Sequence, residues 1–142
     1  MERSSVLELE TRRARDIGKG KLLLVDEDLG DLQVYSNMLT QLGYEVRAFG
    51  CYREAEICVG REAFDLVIVS QGSSDFEGRT VIARTTEIDR RIPVVVLTHV
   101  FEIPCYAEAI QLGALDYLPK PLPAWELERL VSGCLRSRTG SA

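Results

Sequence analysis

Leu22-Leu23-Leu24-Val25-Asp26-Glu27-Asp28 is the stretch that decides the fold. Four apolar residues run without alternation into three acids. A strand with one wet face alternates, so an unbroken apolar run of this length reads as a strand covered on both faces. The chain beyond it keeps that style. Leu32, Tyr35, Met38, Leu39 and Leu42 recur at helical spacing, and Gly43 is a natural terminator. Tyr44-Glu45-Val46-Arg47-Ala48-Phe49 alternates, as a strand nearer an edge does. A helix over 52–61 leads into the apolar strand Leu66-Val67-Ile68-Val69, and residues 78–89, with Val81, Ile82 and Ile88, form a third helix. Pro93-Val94-Val95-Val96-Leu97 is the clearest strand, because β-branched residues in a row favour a pleated core position. A helix over 103–113 is closed by Gly113, and Ala114 to Leu118 is a short last strand. Pro123 opens a final helix that places Trp125, Leu127, Leu130, Val131 and Cys134 on its inner side. Five strands alternating with five helices predict a parallel sheet covered on both faces.

The composition agrees. With 142 residues, 46% hydrophobic and 27% charged, the chain has the size of one domain and enough apolar side chains for a core. No apolar run approaches the roughly 18 residues of a membrane span, and Met1-Glu2-Arg3-Ser4-Ser5 starts no secretory signal. The four cysteines (Cys51, Cys58, Cys105, Cys134) stand singly and His99 is the one histidine, so neither a zinc site nor a disulfide framework is expected. That pattern reads as a reduced, cytoplasmic protein. Residues 1–21 carry six basic and four acidic side chains, whereas residues 22–142 carry eleven and eighteen. So acidic a domain repels phosphate backbones, and direct nucleic-acid binding is not expected. Arg12, Arg13 and Arg15 read as a solvated face of an extra N-terminal helix over 4–16, hinged at Gly18-Lys19-Gly20. The boundaries are then an appendage over 1–20, a domain over 21–138 and a tail over 139–142.

In an open parallel sheet, ligands bind beyond the carboxyl ends of the strands, near the point where strand order reverses. The residues to inspect are therefore Asp26-Glu27-Asp28, Ser70-Gln71-Gly72, Thr98-His99 and Lys120-Pro121. Clustered carboxylates suit a hard divalent cation, and a lysine with a hydroxyl suits a phosphoryl group. The plainer reading of the three acids is helix capping. Asp75 and Glu77 read as loop and helix-start acids, and His99 as an exposed loop residue.

Taken in order, Leu23-Leu24-Val25-Asp26-Glu27-Asp28, Phe64-Asp65-Leu66-Val67-Ile68-Val69, Pro93-Val94-Val95-Val96-Leu97-Thr98 and Gly113-Ala114-Leu115-Asp116-Tyr117-Leu118-Pro119-Lys120-Pro121 resemble the receiver domain of two-component response regulators. The resemblance covers about residues 21–136. It implies an α/β, flavodoxin-like, doubly wound sheet of five parallel strands in the order 2-1-3-4-5. It places Asp26 and Glu27 on the acidic pair that holds Mg²⁺, Thr98 on the switch hydroxyl and Tyr117 on the aromatic that moves with it. Lys120 falls on the phosphoryl-contacting lysine, Lys120-Pro121 on a cis peptide, and Gly78 on the glycine eight residues past the phosphoacceptor. The acceptor position itself holds Ser70, where the family has aspartate.

That departure sets the functional expectation. An aspartate attacks phosphorus as a ready-made anion, whereas a serine hydroxyl needs a neighbouring base. Losing the carboxylate also removes a metal ligand, so Asp26, Glu27 and Gly72 outline at most a weak Mg²⁺ site. No other cofactor is expected. Lys120 is expected to neutralise Asp26 or Glu27 directly. The reading is a pseudo-receiver, not an enzyme, that signals by binding protein partners. An output domain, a histidine kinase or a second copy would dock through Phe101, Tyr106, Ile110, Tyr117, Leu122 and Trp125. The alternative is a working phosphoacceptor that uses Ser70 or Asp75. A flavin protein is set aside, because no phosphate loop follows the first strand.

Overall fold

The computed structural model describes residues 19–140. Strands β1 (Lys21–Val25), β2 (Glu45–Phe49), β3 (Leu66–Ser70), β4 (Val94–Thr98) and β5 (Asp116–Pro119) alternate with helices α1 (Leu29–Gln41), α2 (Tyr52–Val59), α3 (Arg79–Ile88), α4 (Ile103–Leu112) and α5 (Ala124–Gly140). All neighbouring strands pair in parallel, in the order β2-β1-β3-β4-β5. This is the doubly wound, flavodoxin-like sheet expected from the sequence. Alternate residues of each strand feed opposite faces. Leu23, Val25, Val67, Val69, Val94 and Val96 pack with Val81, Ile82 and Ala109 from α3 and α4. Leu22, Leu24, Leu66, Ile68, Val95 and Leu97 pack with Leu39 from α1 and Leu127 and Val131 from α5. β3 and β4 are buried throughout, while β2 is half exposed, as its alternation and edge position require.

The elements end where local chemistry stops them. Asp28 caps α1 by accepting from the Asp31 N–H, and Gly113 closes α4 with φ +108°, a conformation that suits glycine. Gly60 and Gly78 flank α2 and α3, so those helices are shorter than the spans 52–61 and 78–89. The last strand starts at Asp116 and not at Ala114, because the Ala114 N–H still bonds the helix carbonyl of Ala109. Trp125 is a correction: it is 65% exposed and does not lie on the inner side of α5. The expected helix over 4–16 lies outside the described residues. Among the described residues no helix is long and apolar enough to cross a membrane.

Because strand order reverses between β1 and β3, the carboxyl ends of these two neighbours open a crevice.

Candidate functional site: the crevice above β1 and β3

Asp26 directly follows β1, Ser70 ends β3, Thr98 ends β4, and the turn after β5 supplies Lys120; all four are buried. Lys120 precedes Pro121 through a cis peptide bond, and its main-chain N–H is fixed on Thr98 O at 2.7 Å. The side chain then crosses the crevice. Its Nζ donates to Asp26 Oδ2 (2.7 Å), Asp31 Oδ2 (2.9 Å) and Ser70 Oγ (3.3 Å). An ammonium has three protons, and each has an acceptor here. Burial pulls the Lys120 pKa down, but the hydrogen bonds and charges of Asp26 and Asp31 outweigh it and leave the ammonium above its ordinary value. Partial burial pushes Asp31 up, yet Lys120 and His99 together hold it below the usual carboxylate value.

Two features of this network depart from the sequence expectation. The second carboxylate on Lys120 is Asp31, not Glu27. Asp31 sits in the first turn of α1, one helical turn after the cap, which aims it back over the crevice; His99 Nε2 donates to the same Oδ2 at 2.6 Å. Glu27 turns the other way. A methyl group built on Gly72 would lie 3.3 Å from Glu27 Oε1, 3.1 Å from the Tyr52 hydroxyl and 2.4 Å from Glu77 Oε1. With φ at +88° as well, that position admits only glycine. Tyr52 donates to Ser70 O (3.0 Å), and burial followed by the charge of Glu27 raises its pKa strongly. Hydrogen bonds from its own main chain and from Ser73 hold the Glu77 carboxyl low. Asp75 is exposed on the adjoining loop.

Thr98 Oγ1 donates to Val100 O (2.8 Å) and accepts from Val100 N (3.2 Å), so the hydroxyl is engaged with its own loop. Tyr117 is 2% exposed; its hydroxyl donates to Gln71 Oε1 and accepts from Glu102 N at 3.3 Å. Phe101 and Tyr106 stand edge-on to the Tyr117 ring, with centroids 5.1 and 5.8 Å away. Of the residues expected on a partner surface, Phe101, Tyr106, Ile110 and Trp125 are exposed. Leu122 and Tyr117 are not. Leu122 is 4% exposed, packed in the core beneath α5 with its N–H on the Tyr35 hydroxyl, and reaches only the floor of a cleft of about 610 Å³ beside Trp125. The sequence places Gln71 beyond β3 but assigns it no role, because a glutamine at a strand end carries no periodicity or motif.

The family model of the response regulator receiver domain matches residues 22–132. The chain belongs to the response regulator receiver family. A receiver is a module of two-component signal transduction, and its relatives include whole regulators. It is 30% identical over 117 residues to the phosphoglycerate transport system transcriptional regulatory protein PgtA of Salmonella typhimurium, covering 82% of this chain and 28% of that protein. It is 30% identical over 122 residues to the transcriptional regulatory protein PmrA of Pectobacterium parmentieri, covering 86% of this chain and 55% of that one. The receiver thus spans little more than half of PmrA and less of PgtA. Among solved structures, a CheY-like receiver domain protein from Methanospirillum hungatei superposes with a TM-score of 0.82 at 20% identity, over 88% of this chain and all of that one, which shows the shared fold. A two-component response regulator from Clostridium difficile gives 0.75 at 26% identity, over 83% of this chain and 97% of that one.

Proposed function

We propose that this receiver signals by binding a protein partner without accepting a phosphoryl group at the end of β3. The observation that carries the reading is Ser70. Its Oγ has a single hydrogen-bond partner among the described residues, and that partner is the cationic Lys120. An ammonium takes no proton from a hydroxyl, so the residue lacks the base it would need as a nucleophile. Lys120, for its part, is already committed to two carboxylates and has no proton left over for an arriving phosphate. Asp75, the other candidate acceptor, is solvated on a loop outside this network.

The Mg²⁺ that the family implies fits these residues poorly. A receiver's divalent cation needs converging anionic oxygens. Here Ser70 offers a neutral one, Asp26 is occupied by an ammonium at 2.7 Å, and Glu27 points toward Tyr52 and Glu77. Weak Mg²⁺ binding is part of the proposal.

Partner binding draws support from the surface around α4 and α5. Phe101 (51% exposed), Tyr106, Ile110 and Trp125 are large, apolar and solvent-facing, and aromatic anchors of this kind dominate binding interfaces. A protein partner is proposed there: an output domain, a kinase or a second copy of the chain. The deciding test is the intact mass of the chain after exposure to acetyl phosphate and Mg²⁺, with an unchanged mass expected.

A further inference from the structure

Beyond β3, the loop over 71–74 is fastened to the start of α4 by a ring of hydrogen bonds that closes on itself. The Tyr117 hydroxyl donates to Gln71 Oε1 and accepts from Glu102 N (3.3 Å). The Glu102 carboxylate accepts from Ser74 Oγ (2.8 Å), and Gln71 Nε2 donates to Ser73 O (3.1 Å), which completes the circuit. Gln71 itself cannot drift, since its N–H is held by Leu97 O (2.9 Å) and its carbonyl accepts from Gly78 N (3.1 Å). Gln71 and Tyr117 are 1% and 2% exposed. A buried carboxamide oxygen and a buried phenol each need a partner, and each supplies the other's. Phe101 and Tyr106, both solvent-facing, pack edge-on against the same tyrosine ring.

We infer that Gln71 is a positioning residue for the aromatic partner surface: through Tyr117 it holds Phe101, Tyr106 and the start of α4 in one arrangement in the unmodified chain. Turning Tyr117 out of the interior removes the partner of Gln71 Oε1, whose side chain is 1% exposed, and of the partly buried Glu102 N–H. A surface of this kind is set by the protein itself and not by a group arriving at position 70. The inference deepens the phosphorylation-independent reading above and rests on it for its meaning in signalling. The geometry it invokes stands in the untreated protein.

Amide relaxation-dispersion spectra of the full chain, recorded without any phosphodonor, test it. In the parent, residues 100–106 are expected to give one set of signals free of microsecond-to-millisecond exchange. Gln71→Leu should bring exchange broadening or a second set of signals to residues 100–106, with β1 and α1 unchanged. Tyr117→Phe keeps the ring and removes the hydroxyl; it should do the same, and it decides the matter if Gln71→Leu does not fold. The double variant should be no worse than the worse single, as expected of two halves of one contact. Exchange at 100–106 already present in the parent, or parent-like spectra in both variants, overturns the inference. A phosphoryl adduct would overturn the proposed function alone, because these spectra are taken without a donor.

Discussion

An ammonium buried among carboxylates is costly to remove, because it leaves the buried Asp26 without its cation and Asp31 with His99 alone. Asp26 is 2% exposed and shares Lys120 with Asp31. Lys120→Met is therefore expected to destabilise the domain by about 3 to 5 kcal/mol at pH 7. The pH dependence follows from two shifts. Lys120 titrates above its ordinary 10.5 in the folded state, so its contribution is complete below that pH and is lost as pH rises through the folded value. Asp31 titrates below its ordinary 3.8, so its contribution is present above that pH and is lost as pH falls through the folded value. Parent and variant should differ most on the plateau between the two limits and converge outside it. Urea unfolding of both proteins from pH 3 to 11 measures this; equal stability at pH 7 would show that the bridge contributes nothing. Ser70→Asp restores an anionic oxygen beside Asp26 and should tighten Mg²⁺ binding roughly tenfold or more. A calorimetric titration that shows no gain would mean that Lys120 holds the crevice against the metal.

Helices here are positioned by what their ends can fit. Gly78 has φ −66°, which any residue adopts, yet a methyl group there would lie 2.3 Å from Ser70 O and 3.0 Å from Val69 Cγ2. The glycine lets α3 start directly against the end of β3. Gly78→Ala should cost about 1 to 3 kcal/mol through overpacking. Gly133 in α5 is the counterexample, with nothing within 4 Å, and Gly133→Ala should stabilise the chain by about 0.5 to 1 kcal/mol. Chemical denaturation of the two variants checks both signs. These elements were legible in the sequence because buried strands and amphipathic helices have different periods, and because Asp28, Gly43 and Gly113 carry recognisable end signals. Boundaries differ by one or two residues where a helix tapers into a turn, as at Gly60, whose N–H reaches back only three residues to Ile57 O. Trp125 is exposed despite its helical spacing, because spacing says which residues share a face and not which of them the sheet is wide enough to cover.

At the scale of the whole molecule, strand order brings distant residues to one crevice, and this is where sequence reading stops being sufficient. Asp26, Ser70, Thr98 and Lys120 could be placed there from the strand ends alone, and the cis Lys120-Pro121 bond came with the family resemblance. Asp31, the bond from Tyr117 to Gln71 and the inward course of Leu122 could not, since each depends on a side chain's direction after the backbone is fixed. Gln71, next in the chain to Ser70, ties the end of β3 to the buried tyrosine and, through its ring, to the exposed aromatics. Chemistry at Ser70 is the point on which the account depends. The most direct test is intact mass spectrometry of the chain after incubation with acetyl phosphate and Mg²⁺, beside Ser70→Asp. No added mass is expected on the parent, and a phosphoryl adduct, labile to hydroxylamine, is expected on Ser70→Asp. A phosphoryl group on the parent, whether hydroxylamine-stable on Ser70 or hydroxylamine-labile on a carboxylate, would contradict the account.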